Sequence, residues 1–279
     1  IANIELAISG GAKVIITPGY MSEYAVFSLQ NSHPDVNFIM LDSEPRDKDE
    51  SVTIAENTTC ILYKEEEAGF LAGYSAVMDG YRELGFMGGI AVTPVINFGY
   101  GFIDGAEYAS RELNLSAGEV NIRYTYLGTY DATPDIVSKA SSWYNDGTEV
   151  IFACAGGAGA SVMKAAEISN NKVIGVDVDQ SEESSTVITS SMKNVYNSLY
   201  NTIDSVYTNT FNGGELNILG TETGDVLLPI ETSNFNSFTK EQYDEIYNRI
   251  SSKTVRIATS DLYNSANEIA LEVVQVYID

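Results

Sequence analysis

The chain has 279 residues, 44% of them hydrophobic and 19% charged, a composition that folds and a length that suits two lobes of ordinary size. Acidic residues outnumber basic ones 39 to 15, and the resulting net charge of −24 repels phosphate backbones and anionic lipid, which argues against nucleic acid as a partner. No apolar run approaches the roughly 18 residues of a membrane span, the first residues lack the basic start of a signal peptide, and Cys60 and Cys154 lie in separate apolar runs that predict two buried free thiols with no zinc-site spacing.

Ile1, Ile4 and Ile8 recur at helical spacing before Gly10-Gly11, so the chain opens in a helix. A doubly wound sheet normally opens with a strand, and the expectation is that an N-terminal strand is missing from this sequence. KVIIT (13–17) is then a strand, followed by a helix over 21–31 and by the strands VNFIMLD (36–42) and TTCILYK (58–64). A helix follows over 65–80, and then a strand at LGFMGGIAV (84–92), a helix over 97–113 and a strand at VNIRYTYLG (120–128). The next helix starts near Asp131, before the strand EVIFACA (149–155), a helix from Gly159, and strands at KVIGVDV (172–178) and STVITSS (185–191). A long helix over 192–211 leads into a turn at FNGGEL (211–216).

Near-continuous apolar strands alternating with helices predict an α/β protein whose parallel sheets are covered on both faces. The economical arrangement has two lobes, 1–83 with 192–213 and 84–191 with 214–279. Repeated crossings between lobes make a hinge, with a cleft between them.

Five stretches stand out together: EEAGFLAGYSA (66–76), GGIAVTPVINFGYGFIDGA (88–106), AGGAGASVMKAA (155–166), VIGVDVDQ (173–180) and VITSSMK (187–193). In this order, across residues 11–228, the chain resembles the basic membrane protein family, the purine-nucleoside-binding lipoproteins of bacterial ABC importers. The resemblance implies a two-lobed type I periplasmic-binding-protein fold and a receptor that delivers a nucleoside to an ABC permease. It implies no catalysis and no cofactor, and an extracytoplasmic location held to the membrane only by a lipid anchor. The family's DxSFN-like opening motif and its lipid-bearing cysteine do not occur in this sequence.

The candidate ligand contacts follow the strand ends, where open α/β sheets bind their ligands. Asp177 ends VIGVD, where a carboxylate accepts bonds from both hydroxyls of a ribose; the alternative is a turn aspartate, the role expected for Asp179. Gly156 and Gly157 form a small-residue turn whose backbone N–H groups can meet oxygens, although glycines there equally serve close packing. AGGAGA is not a phosphate-binding loop, which argues against an NTPase. The resemblance makes Lys193 a ligand contact, set against an ordinary surface lysine at a helix start. Asp42, ending VNFIMLD, mirrors Asp177. Tyr20, Phe98 and Phe152 are candidates for stacking on a base, with core packing as the alternative. The single histidine, His33, has no serine–histidine–acid constellation around it, so an enzyme of nucleoside metabolism ranks below a receptor and below a nucleoside-sensing regulator of the same fold.

Overall fold

The computed structural model describes residues 1–279. Its elements in chain order are α1 (Ala2–Ser9), β1 (Val14–Pro18), α2 (Glu23–Gln30), β2 (Asn37–Leu41), β3 (Thr58–Tyr63), α3 (Glu65–Met78), β4 (Glu83–Gly88) and α4 (Thr93–Glu112). They continue with β5 (Asn121–Tyr126), α5 (Pro134–Asn145), β6 (Val150–Cys154), α6 (Gly159–Ser169), β7 (Lys172–Asp177) and β8 (Val187–Lys193). The last are α7 (Val195–Tyr207), β9 (Glu215–Leu219), β10 (Val226–Leu227), α8 (Lys240–Ser251) and β11 (Gln275–Ile278).

Contacts divide the chain into one unit of residues 1–63 with 195–219 and another of 64–194 with 220–279. The sequence placed 64–83 in the first lobe, whereas α3 belongs to the second unit. The reason lies in four glycines. Gly69 and Gly73 on α3 face α4, and Gly101 and Gly105 on α4 face α3. A Cβ at any of them would stand 2.8 or 2.9 Å from a backbone carbonyl carbon of the other helix, and closer still to its oxygen. Backbone meets backbone here, an approach open only to glycine.

In the first unit the sheet order is β1-β2-β3-β9, all parallel. Val26 and Leu29 of α2 pack on Ile15, Phe38, Met40 and Cys60, and Ile4 and Ile8 of α1 lie against this cluster. The connection from β2 to β3 carries no helix. It is held by buried Gln30, whose amide donates to the Thr53 carbonyl at 2.8 Å and accepts from Ala55 N–H at 3.0 Å. β9 pairs with β3 from Thr59↔Glu215 to Tyr63↔Leu219, so the segment expected to turn at 211–216 enters a strand.

The second unit holds a sheet of order β10-β8-β7-β6-β4-β5-β11, parallel except for β10 against β8. Ile136 and Trp143 of α5 and Val162 and Met163 of α6 cover one face. Phe98 and Phe102 of α4 meet Phe86 and Phe152 from the other. Helix α4 also holds the irregular segment after α8 by accepting its backbone N–H groups. Asp104 accepts from Ala258 at 2.5 Å, Asn97 from Ser260 at 2.9 Å, and Glu107 from Glu272, Val273 and Val274 at 2.9 to 3.1 Å.

Candidate ligand site

In the second unit the chain builds β5 on one side of β4 and then crosses to build β6 on the other. Such a reversal opens a crevice at the carboxyl ends of the two strands. Gly89 N–H donates to the Cys154 carbonyl across it at 2.9 Å. Tyr130 lies on this spot: a Cβ on Gly89 would collide with its ring, one on Gly156 would meet that ring at 3.4 Å, and one on Gly157 would meet the Tyr130 carbonyl at 3.0 Å. The glycine turn therefore seats an aromatic side chain, and Gly156 needs its freedom for φ +52 as well. Gly156 and Gly157 are both exposed. Tyr130 was not among the aromatics expected from the sequence, because it sits in a polar loop before α5, outside every apolar run.

One strand further on, β7 ends at Asp177. Its φ is +65, and Val178 N–H closes on the Val176 carbonyl at 2.8 Å, a tight turn centred on a left-handed residue. That conformation is uncommon for a residue other than glycine and marks a place where surrounding structure fixes the backbone. The brace is visible in VIGVDVDQ itself. Gln180 folds back so that its side-chain Oε1 accepts from Val176 N–H at 2.8 Å, its backbone N–H donates to Ser190 Oγ at 3.0 Å, and Gly175 leaves the room both need. Asp179 is turn chemistry: it accepts from Ser181 N–H at 3.0 Å and Thr232 Oγ1 at 2.6 Å, and these bonds hold its carboxyl below the usual range against the opposing cost of desolvation. Asp42, at the end of β2 in the first unit, is likewise left-handed at φ +57. Tyr20 follows β1, the neighbour of β2, and is half exposed.

Lys193 is the last residue of β8 and is only 5% exposed, so it is not a surface lysine. Its Nζ lies 3.2 Å from Asp177 Oδ1 and 3.7 Å from Oε1 of Glu65, the first residue of α3, itself buried. The Asp177 Oδ1 contact is an ion pair without hydrogen-bond alignment, and that oxygen is buried. The Asp177 side chain is 48% exposed, so the solvent-facing part of the carboxylate is the remaining oxygen. Burying an ammonium demands close counter-charges, and two carboxylates supply them. Phe98 is buried with Lys193 5.6 Å from its ring centroid. Phe152 is wholly buried among Phe86, Phe98 and Phe102, so its ring packs beneath the strand ends instead of lying open to a base. Burial and the neighbouring Asp177 push the Cys154 thiol far up, so it stays protonated, and Cys60 is pushed up to about 12 by burial and Glu44. Both cysteines are free and buried.

A separate recess of about 500 Å³ in the second unit takes in Asp179, Met192 and Tyr243 but neither Asp177 nor Lys193. His33 closes the turn after α2 and reaches Glu5 at 3.3 Å, an exposed pairing remote in sequence from every strand tip. No helix is long and apolar enough to cross a membrane.

A parallel α/β chain in two units, with carboxylates at its strand tips, has the architecture of solute-binding proteins. One such protein from Aeropyrum pernix K1 matches with a TM-score of 0.78 over 95% of this chain and 82% of its own, at 19% identity, which shows the fold alone. A transcriptional activator of the comK gene from Bacillus halodurans shares that fold at a TM-score of 0.70 and 20% identity, over 90% of this chain and 81% of its own. Within this class the chain belongs to the Bmp family, ABC transporter substrate-binding protein PnrA-like, whose model matches residues 1–261. It is 30% identical to basic membrane protein D of Borreliella burgdorferi strain JD1 over 89% of this chain and 69% of that protein. It is 25% identical to the ABC transporter nucleoside-binding protein BmpA of Lactococcus lactis subsp. cremoris, over 83% of this chain and 67% of that protein. The chain spans about two thirds of the length of these curated relatives.

Proposed function

We propose that this chain is the binding component of a nucleoside importer, taking a ribonucleoside, preferably a purine nucleoside, and presenting it to an ABC permease from the outer side of the membrane under a lipid anchor. The observation that carries this is Asp177: a half-exposed carboxylate on a left-handed strand tip, with one oxygen committed to buried Lys193 and the other turned outward. Such a group suits a neutral ligand rich in hydroxyl donors, and a ribose diol can donate twice to it. Tyr130, on the glycine turn, is the aromatic surface for a base, and the Gly156 and Gly157 N–H groups are donors beside it. Asp42 and Tyr20 hold equivalent strand-end positions in the first unit, and substituting them measures what that unit contributes. The name of the Lactococcus relative supports a nucleoside over other solutes. Membership of a substrate-binding family supports a ligand that is bound and released unchanged.

Calorimetric titration against a panel of purine and pyrimidine ribonucleosides tests the proposal. Binding of at least one in the micromolar range or tighter supports it. No heat across the panel overturns the nucleoside assignment. A protein that binds nucleosides but fractionates with the cytoplasm would favour a sensing regulator over a transport receptor.

A further inference from the structure

We propose that Gln180 and Thr232 are positioning residues for Asp177: they fix its left-handed turn before any ligand arrives, and they set the affinity for a hydroxyl-bearing ligand by acting through that carboxylate. This rests on Asp177 meeting the ligand's hydroxyls as proposed above. The device begins with an irregularity in the sheet. Val173 on β7 pairs with Val187 on β8, but Ile174 pairs with Thr189, so Ile188 is an extra residue with no counterpart on β7. A bulge of this kind shifts the register of everything beyond it by one residue and re-aims the side chains there. Ser190, which a regular ladder would set beside Val176, stands instead beside Gly175.

Gly175 leaves a gap at that point: a Cβ there would lie 2.6 Å from Gln180 Oε1 and 2.7 Å from Ser190 Oγ. Gln180 occupies the gap, with its backbone N–H on Ser190 Oγ and its Oε1 on the Val176 N–H. The residue before Asp177 is thereby tied to one three positions after it, and both are tied to β8. The bulge supplies the second anchor. The Ile188 carbonyl accepts from Asn234 N–H at 2.7 Å, and Thr189 Oγ1 lies 2.8 Å from Ser233 Oγ, which fastens the segment after β10 onto β8. From that segment Thr232, 53 positions along the chain from Asp179, donates to Asp179 Oδ2 at 2.6 Å. A left-handed residue other than glycine stays so only while its surroundings over-determine it. Loosening either anchor lets the turn leave φ +65, and apparent affinity then falls with the fraction of molecules still in the competent conformation.

The test titrates the whole chain with adenosine or guanosine, whichever binds more tightly, and with its 2′,3′-dideoxy counterpart, which lacks the diol. Gln180→Met keeps the side chain's length but has no acceptor for the Val176 N–H. It should weaken the ribonucleoside about tenfold and move the dideoxy analogue less than about twofold. Thr232→Val, at an exposed position, should act in the same sense by about threefold. Gln180→Glu combined with Glu183→Gln keeps the acceptor, the pairing with position 183 and the net charge, and it should bind like the unaltered protein. A purely structural role would lower both affinities together, and that result overturns the proposal. So does an unchanged ribonucleoside affinity in Gln180→Met, or a double variant as weak as Gln180→Met. Should Gln180→Met fail to fold, Thr232→Val decides by the same two readings: equal loss for both ligands, or no loss, overturns the proposal. An unaltered protein that binds the two nucleosides equally, or neither, overturns the reading of Asp177 itself, and this proposal with it, before any variant is made.

Discussion

Gly73→Ala is expected to damage the second unit far more than one methyl group normally would. A Cβ there would stand 2.9 Å from the Phe102 carbonyl carbon and 3.0 Å from Ala106 N, closer still to the Phe102 oxygen. Neither side can yield by turning a side chain, because both obstacles are helix backbone. The helices must part by about 1 Å over a buried interface, and the cost belongs at the upper end of overpacking penalties, about 3 kcal/mol. For a unit of this size that corresponds to a melting temperature lower by roughly 6 to 12 °C. The only tryptophan in the chain, Trp143, is buried in this unit, so fluorescence-detected melting follows its transition separately from the first unit. Gly159→Ala is the control: its Cβ would make only ordinary contacts at 3.8 and 3.9 Å, and the change should stay within about 1 kcal/mol. A Gly73→Ala melt within about 2 °C of the unaltered protein would refute the backbone-contact account.

Asp177→Asn keeps a side chain that tolerates the left-handed backbone but removes the charge, so it should weaken ribonucleoside binding by roughly 3 kcal/mol, over a hundredfold, and 2′,3′-dideoxy analogues should lose as much on the unaltered protein. Near-normal affinity in either titration would contradict the diol assignment. Desolvation lifts Asp104 from 3.8 to about 6 and Glu66 from 4.5 to about 7. The folded chain therefore holds protons that the unfolded chain has released, and the stability these two groups allow is full below about pH 4 and is lost as pH rises to 7. Asp104→Asn should flatten that decline, melting higher than the unaltered protein at pH 8 and equally at pH 4; parallel curves would argue against it. Both thiols should ignore a thiol-reactive dye in the native protein and react once it is denatured, since each is buried and held protonated.

Periodicity and apolar runs carried most of the alternating architecture, because strands buried on both faces announce themselves in any window. Elements after residue 214 were not legible: β9 reads ELNIL with only partial burial, and β10 is two residues long. Their identity as strands comes from partners far away in sequence. The boundary between units was misplaced for a similar reason. AGFLAG and FGYGFIDGA show glycines at four-residue spacing, but only the structure reveals that the two sets face each other and bind α3 to α4. At the site, Asp177 was legible as a strand-end carboxylate, whereas Lys193 stood out only through the family motif and was expected at a helix start, although it ends β8. Glu65 was hidden among three consecutive glutamates at a helix start, a pattern that ordinarily means solvated charge near the dipole. Tyr130 had no periodic signal at all. The glycines around it were a signal, and what they lacked was a named occupant.

The pairing of β3 with β9 bears on how the chain comes into being. Thr59 and Glu215 lie 156 residues apart, and everything between Lys64 and Asn194 belongs to the other unit. At a synthesis rate of about 5 to 20 residues per second, β3 leaves the ribosome roughly 8 to 30 seconds before its outer neighbour exists. During that interval its edge is an open template carrying Cys60 and Ile61, while β4 to β8 can assemble on their own helices. The unit whose synthesis begins first is thus held incomplete until β4 to β8 of the other have been made. Aggregation during expression should therefore respond to substitutions along β3 and β9 far more than to equally destabilising ones in the sheet built from β4 to β8.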